Sequence, residues 1–456
     1  MQRASERASD GARPAAAARE TWASRLGFVM AAAGSAVGLG NIWRFPWLAG
    51  ENGGGLFLLA YLLMVGTLGI SVLLAEIVIG RAAQKDPVGA FRLLGGGHWR
   101  LVGYLGIASA FLILSFYGVV AGWTLAFAVK QASGLFETAA PSQVFADLLA
   151  ATYEPLAWAF AFFAMTAAVV SGGIRNGIER ANLVLMPLLF LLLVLLVVRA
   201  VTLPRGLEGL AFFFAPDVTH LTTATIAAAL GQAFFSLSIG LGAMITYGSY
   251  LQRGQPIGRA AFQIAALDTL AALLAGSIVF PAVYFAGIDP ASGPGLAFVT
   301  LPSVFAEMPA GRLFGVVFFV LLAIAALTSA ISLLEPVVAF LVDEHGFRRR
   351  RATLLTTVGA FLVGIPSSLS LGPMPELAAF GMSFLDLVDF LTASLMLPAG
   401  GLAMALFVGW KIAPLAAAEL AGEAQHRQPL LRAWILFLRF AAPAAIGWIL
   451  VAGLIG

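Results

Sequence analysis

No cysteine occurs among the 456 residues. Disulfides, thiolate metal sites and cysteine nucleophiles are therefore excluded, while the compartment stays open. Histidine is nearly as scarce: His98, His220, His345 and His426 are scattered without metal-ligand spacing. Charged residues make up only 11% of the chain against 60% hydrophobic, and mean hydropathy is +0.94. Soluble domains carry about 25% charged residues, so this composition describes a polytopic membrane protein. An intramembrane enzyme would need a nucleophile with a nearby base, or a metal triad, and no His/Cys/Asp cluster at suitable spacing supplies one. The net charge of +3 needs no nucleic-acid partner, since basic loops on one side of a membrane account for it. The Ala/Arg-rich start, with Arg3, Arg7, Arg13 and Arg19, lacks an apolar core and cleavage site and reads as a cytoplasmic tail.

What the chain does have is long apolar runs. Runs of at least ~18–20 residues, the length a spanning helix needs, recur at about 25–50, 56–80, 100–130, 156–172, 178–201, 223–250, 258–287, 312–342, 352–371, 376–411 and 430–456. This all-α reading gives about eleven spans. Loops with Arg81, Lys85, Arg92 and Arg100, with Arg175 and Arg180, with Arg253 and Arg259, and with Arg348 to Arg351 alternate with acid-tinged loops. The positive-inside rule then puts the N-terminus in the cytoplasm of an inner, or plasma, membrane, with Arg199 and Arg205 as exceptions. An odd span count leaves the C-terminus outside. The connections from about Gln131 to Tyr153 and from Gly287 to Pro309 are longer than a link requires, and the second reads as a folded lid.

One run is not written for lipid alone. RLGFVMAAAGSAVGLGNIWRFP, Arg25 to Pro46, places Gly34, Ser35, Gly38, Gly40 and Asn41 near the midplane. Glycine weakens a helix there, and each freed backbone group needs a partner that lipid does not offer. Close helix packing through small residues is the competing explanation. A second such run, GQAFFSLSIGLGAMITYGSY from Gly231 to Tyr250, lies five spans later and repeats the first one's Gly-Leu-Gly. Interrupted spans at matching places in two inverted five-helix halves point to a transporter with its site between the repeats. The expected organisation is a tail at 1–20, a first repeat at 21–202, an extracellular loop at 203–222, a second repeat at 223–411, and a cytoplasmic linker with the eleventh span at 412–456.

Other midplane polar groups fit that scheme. Thr328 and Ser329 offer hydroxyl oxygens to a hard cation such as sodium, or bond within their own helix. Glu76, Asp268, Glu335, Asp386 and Asp389 are acids in or near spans and should face a cavity or a partner. Gly177 and Pro187 mark a place where the fifth span either unwinds or kinks.

From Arg19 to about Trp410 the chain resembles the neurotransmitter:sodium symporter family, in particular its bacterial amino-acid transporters of the leucine-transporter type. The resemblance rests on RETWASRLGF, GSAVGLGNIWRFPWLAGENGGGLFLLAY, GWTLAF after Tyr117, GQAFFSLSIGLGAMITYGSY, PGLAFVTLPSVF and ALTSAISLLEPVVAFLVDE. It implies sodium symport by alternating access, no organic cofactor, and amino acid, sodium and lipid as partners, with monomer or dimer left open. The substrate carboxylate would meet amides near Gly38 and Gly40 and the Tyr117 hydroxyl, and its amino group carbonyls around Phe235 and Ser238. Ser35, Ala36, Ile113, Ser236, Leu241, Ser329 and Leu333 would complete an uncharged pocket. Monoamine carriers of the family place Asp where this chain has Gly38, so glycine implies a substrate with its own carboxylate. Leu241 stands where the leucine-transporter type has phenylalanine, which implies room for a larger or aromatic side chain.

The resemblance also implies two sodium sites. The first would use Ala36, Asn41, Ser236, Asp268 and the substrate carboxylate, and the second Gly34, Val37, Ala325, Thr328 and Ser329. The family usually has Asn at Asp268, so this acid is expected to supply the charge that animal members take from chloride near Tyr61, Gln232 and Ser236. Protonation of Asp268 when sodium leaves, with proton counter-transport, is the alternative. Gates would be Arg44 with Asp389 outside, above Tyr117 and Phe235, and Arg19 with Asp343 inside, with Trp22 and Tyr250 beside them. Glu76 would accept bonds from unwound backbone near Gly40. A channel or a sodium-independent sensor on the same fold are the rival functions.

Overall fold

An apolar run without water must bond its own backbone, and helix is the form in which a single segment does so. The structure is a computed structural model that describes residues 19–289, 293–422 and 428–455. The tail through residue 18 and His426 lie outside the described residues. Among those described, nine continuous helices are long and apolar enough to cross a bilayer: Gly55–Ala83, Arg100–Ser133, Glu154–Ser171, Ile174–Val201, Ile257–Ala286, Gly311–Asp343, Arg349–Leu369, Phe384–Lys411 and Gln428–Val451. The first span is interrupted, with Arg25–Ala36 and Gly40–Glu51 meeting at a bend of 49°. The sixth consists of Thr223–Ser236 and Ala243–Ser249 with non-helical backbone between them. With both interrupted segments counted, the bundle has eleven spans.

Local chemistry sets the ends of these helices. Ser24 accepts from the Gly27 amide and Thr222 from the Thr225 amide, so each interrupted span begins on a hydroxyl cap. Asp86 caps the short helix Pro87–Gly95 by accepting from Val88 and Gly89, with proline at the first helical position. Gly134 and Gly287 close the third and seventh spans in the left-handed conformation.

The tenth span starts later than its hydropathy suggests. Residues 376–383 are not helical: Ala378–Ala379 pairs antiparallel with Met382–Ser383. Between them Phe380 and Gly381 both have positive φ, 56° and 78°, the backbone of a tight hairpin turn. The helix proper begins at Phe384, where Ser383 accepts from the Asp386 amide. In the fifth span, wide turns at Ile174–Glu179 surround Gly177, and the helix from Arg180 continues through Pro187. The long connections are partly helical: Pro141–Ala150 in one, Thr300–Glu307 in the other.

Burial orders the spans. The most apolar windows of the third and eighth spans are 78% and 83% buried, against 22% for the eleventh. The third and eighth therefore form the centre, packed on one another, with the two interrupted spans against them. Because lipid tails are as apolar as leucine, burial of apolar surface does not hold these helices together; close packing and polar contacts do. Both breaks therefore fall where protein surrounds them on all sides.

Candidate functional site

The two breaks bond each other and their neighbours. After the Val37 amide, which still bonds Ala33, the first span leaves helical order until the Asn41 and Ile42 amides return to Gly38. The Gly38 amide donates to Asn41 Oδ1 at 3.1 Å, and the Leu39 amide to the Tyr117 hydroxyl at 3.3 Å. Gln232 Nε2 donates to the Gly40 carbonyl at 2.8 Å, and Ser238 Oγ to the Ser35 carbonyl at 2.9 Å. On the sixth span the Gly240 amide donates to Glu76 Oε1 at 2.8 Å. Gly240 has φ +92° and a β-carbon there would stand 2.4 Å from the Leu397 carbonyl oxygen, so only glycine fits. Glu76 thus braces the second break, not the backbone near Gly40 that the resemblance implies. The cause is placement: the second span packs on Ala243–Ser249, which brings Glu76 to the sixth span's freed amides.

Beside the first break lies a carboxylate with no cationic partner among the described residues. Asp268 is fully buried, and Asn41 Nδ2 (2.7 Å), Ser236 Oγ (2.7 Å) and Tyr61 Oη (3.0 Å) donate to it. All three donors are neutral. An isolated carboxylate in a low-dielectric interior is costly unless a cation or a proton accompanies it. Gln232 does not join this group, because its amide nitrogen is committed to Gly40.

A second oxygen cluster lies between the first and eighth spans. Ser329 Oγ stands 3.3 Å from each of the Gly34, Ser35 and Val37 carbonyl oxygens. Ser35 already accepts from Ser238, and one hydroxyl proton serves one acceptor at a time, so the Gly34 and Val37 carbonyls share what Ser329 offers. Thr328 Oγ1 lies 3.0 Å from the Ala325 carbonyl. Hard oxygens with no nitrogen or sulfur suit an alkali or alkaline-earth cation. Among the described residues no three His, Asp or Glu side chains converge as a metal site.

Between the clusters is a cavity of about 30 Å³, lined by Ser35, Ala36, Gly38, Gly40, Ile113, Tyr117, Phe235, Ser236, Ser238, Leu241, Ser329 and Leu333, with Leu397 from the tenth span. None is charged. A β-carbon on Gly38 would stand 2.4 Å from Ser329 Oγ and 3.1 Å from the Tyr117 hydroxyl. Directly beyond it, sharing Gly40, Tyr117 and Phe235, is a vestibule of about 150 Å³ lined also by Arg44, Trp47 and Asp389. Arg44 and Asp389 face this vestibule without the ion pair expected of them: the Arg44 guanidinium sits 4.7 Å above the Phe235 ring instead. A cation over an aromatic face keeps its water on the other side, and the vestibule separates it from the acid.

The opposite end is closed. Arg19 pairs with Asp343 and donates to Ser249 Oγ at 2.7 Å, and its guanidinium lies 4.8 Å from the Tyr250 ring centre. Trp22, fully buried, donates to the Tyr247 carbonyl at 2.9 Å and meets that ring edge-on. Burial lowers the Arg19 pKa, but Tyr250 and Asp343 outweigh it and the net direction is upward. Asp343 also accepts from the Asp86 amide at 2.9 Å. Burial pushes the Asp86 carboxyl up to about 7; its bonds to Gly89 and Val88 oppose that rise, and the nearby Asp343 and Glu344 charges add to it.

Several partners here had no mark in the sequence beyond their charge. Arg349 makes a two-pronged pair with the buried Glu335, which also accepts from the Tyr250 hydroxyl at 2.7 Å. Glu179 accepts from the amides of Ala23 (2.7 Å) and Ser24 (3.0 Å), tying the fifth span to the start of the first. Glu335 stands out in the sequence as an acid inside an apolar run, the signal that finds it. Nothing in the spacing names its partners.

The family model described as "Sodium:neurotransmitter symporter family" matches residues 19–137 and 152–455. An uncharacterised sodium-dependent transporter of Bacillus subtilis, YhdH, is 41% identical over 93% of this chain and 95% of its own. The bovine (Bos taurus) sodium- and chloride-dependent GABA transporter 2 is 29% identical over 82% of this chain and 70% of its own. The crystal structure of MhsT in complex with L-phenylalanine superposes with a TM-score of 0.89 at 45% identity, covering 95% of this chain and all of the other.

Two outcomes test the closed end. Asp343→Ala removes the partner of Arg19, and a cysteine placed at Val337, one turn from Leu333, should become several-fold more reactive to a membrane-permeant thiol reagent in a chain that has no other thiol. Unchanged reactivity would mean that this pair does not hold the end shut. Because the Asp86 pKa is raised in the fold from about 4 to about 7, the folded form holds an extra proton between those values, so stability is fully present below about pH 4, falls as pH rises toward 7 and levels off above it. The thermal midpoint should fall between about pH 5 and 7 and flatten beyond, and Asp86→Asn should remove that fall; an unaltered slope in the variant would count against Asp86 as its source.

Proposed function

The chain belongs to the sodium:neurotransmitter symporter family, and within it we propose that it carries a neutral hydrophobic or aromatic L-amino acid into the cell together with sodium, without need of chloride. The membership makes it a sodium-dependent multi-pass transporter and not an enzyme. The observation that carries the finer reading is the uncharged cavity at the junction of both breaks, with Gly38 leaving vacant the position from which a side chain would meet Tyr117 and Ser329. A substrate fitting there brings its own carboxylate to the Leu39 amide and Tyr117 hydroxyl, which bond each other in its absence. Its amino group goes to carbonyls near Phe235 and Ser238, at the end of the Thr223–Ser236 helix. The bound L-phenylalanine of the MhsT complex supports an aromatic substrate, as does Leu241 in the lining. Cavity and vestibule share Gly40, Tyr117 and Phe235 in their lining, so a turn of Phe235 merges them into one path for such a substrate.

Sodium is assigned two places on the same grounds. Asp268 with Asn41, Ser236 and the Ala36 carbonyl takes one ion, which balances the lone carboxylate and touches the substrate's own. Gly34, Val37, Ala325, Thr328 and Ser329 take the other. Since the substrate completes the first shell, each ligand strengthens the other by the same factor. Asp268 lies against Tyr61 and Ser236, so its fixed charge makes a mobile anion there unnecessary. Transport follows by exchanging which end is shut: the Arg19–Asp343 end closed with the vestibule open, then the reverse, with the N-terminus cytoplasmic in an inner membrane.

Proteoliposomes loaded with potassium should accumulate labelled L-phenylalanine against its gradient only when sodium is outside, and to the same level in chloride and gluconate. Equal uptake without sodium would overturn the symport, and a strong chloride requirement the role of Asp268. Gly38→Asp should abolish uptake while leaving a folded, monodisperse protein, since an acid there both fills the carboxylate's place and repels it. Normal uptake by that variant would contradict the placement of the substrate.

A further inference from the structure

The fifth span exposes most of its surface, its apolar window being only 28% buried. The residues it turns inward follow one helical stripe: Asn182, Met186, Leu189, Leu193, Leu196 and Ala200. Past Glu179, whose carboxylate holds the Ala23 and Ser24 amides, Asn182 is the one polar member, and it is fully buried. Its Nδ2 donates to the Ile178 carbonyl one turn back at 2.9 Å. That bond settles which way the amide points, because only the nitrogen end donates. The other end, Oδ1, is buried and accepts nothing. An amide oxygen left so carries a desolvation cost with no bond to offset it, and a leucine or methionine would continue the stripe without that cost. Packing therefore does not explain an asparagine here.

Oδ1 is aimed at the first break. A β-carbon on Gly34 would stand 2.2 Å from Asn182 Oδ1 and, on its other flank, 3.2 Å from Thr328 Cβ. Gly34 and Thr328 both belong to the oxygen cluster between the first and eighth spans. The bare face of Gly34 is thus what lets a third helix bring an oxygen up to that cluster. Oδ1 approaches Gly34 on its vacant side-chain position, where a single water would link it to an ion held by the carbonyls.

We propose that Asn182 is the fifth span's contribution to the second sodium site: its Oδ1 accepts from a water that completes the ion's shell on the side away from Ser329. This rests on the sodium reading given above. A water bound to a cation is a stronger donor than bulk water, which gives the buried oxygen the partner it otherwise lacks. The residue sets how tightly the second ion is held, without touching the amino acid.

The test is the sodium dependence of thermal stability in the purified full chain, at saturating L-phenylalanine and with potassium replacing sodium. Asn182→Leu should raise the sodium concentration giving half the stabilisation by about tenfold, the effect of one charge-assisted contact, while L-phenylalanine affinity at saturating sodium is kept. Asn182→Ser, which shortens the oxygen's reach but tolerates a second water, should fall between the two and serves if the leucine variant does not fold. An Asn182→Leu protein that is equally or more stable with an unshifted sodium midpoint would overturn the proposal, showing the amide to be a dispensable buried group. So would a uniform loss of stability with the midpoint unchanged. Absence of any sodium effect in the unaltered chain is a different failure: it would overturn the symport reading, and this inference with it.

Discussion

A helix broken inside a bilayer leaves amides and carbonyls that lipid does not bond, and every other feature of this molecule follows from how they are satisfied. Glu76 takes the Gly240 amide, Asn41 the Gly38 amide and Tyr117 the Leu39 amide. Gln232 and Ser238 supply donors to the Gly40 and Ser35 carbonyls. Asn41 belongs to the first span itself, and the other bracing residues come from the second, third and sixth spans, so the breaks depend on the assembled bundle. On the acceptor side the Gly34 and Val37 carbonyls share one Ser329 hydroxyl, and Asp268 accepts from neutral donors only. Both places are rich in hard oxygen, the ligand type that suits small cations.

The two ends of the bundle differ in kind. At one, Arg19, Asp343, Ser249, Tyr250 and Trp22 form a continuous seal, backed by the Arg349–Glu335–Tyr250 group and by Glu179 holding the backbone of Ala23 and Ser24. At the other, Arg44 and Asp389 look across a vestibule, and only Phe235 and Tyr117 separate it from the inner cavity. The thick seal is made of charge pairs, whereas the thin one is two aromatic rings.

Much of this was legible in the residues. Glycines and polar groups in the middle of Arg25–Pro46, repeated at Gly231–Tyr250, mark both breaks, because glycine and asparagine are costly in a span that only has to cross. The cavity lining follows from the resemblance position by position, and the structure brings all twelve of those residues to one place, adding only Leu397. What was not legible depends on three-dimensional neighbours. The start of the tenth span was misjudged because the hairpin around Phe380 and Gly381 is apolar enough to pass as helix. Glu76 went to the wrong break because hydropathy says that an acid is buried, not which strand of freed backbone it meets. Arg44 and Asp389 have the right charges for a pair, but their separation depends on how far the vestibule is open. Asn182 carries no signal at all in an apolar run, since one amide there is compatible with simple capping of its own helix.

The central claim is that sodium completes the charge at Asp268 and is joined there by the substrate, so their affinities are linked. Equilibrium binding of labelled L-phenylalanine to the purified protein, measured across sodium concentrations and then inverted by measuring sodium binding across L-phenylalanine concentrations, tests it most directly. The account predicts that sodium tightens L-phenylalanine binding, that L-phenylalanine tightens sodium binding by the same factor, and that Asp268→Ala removes the linkage in both directions. L-phenylalanine affinity that does not change with sodium would contradict it.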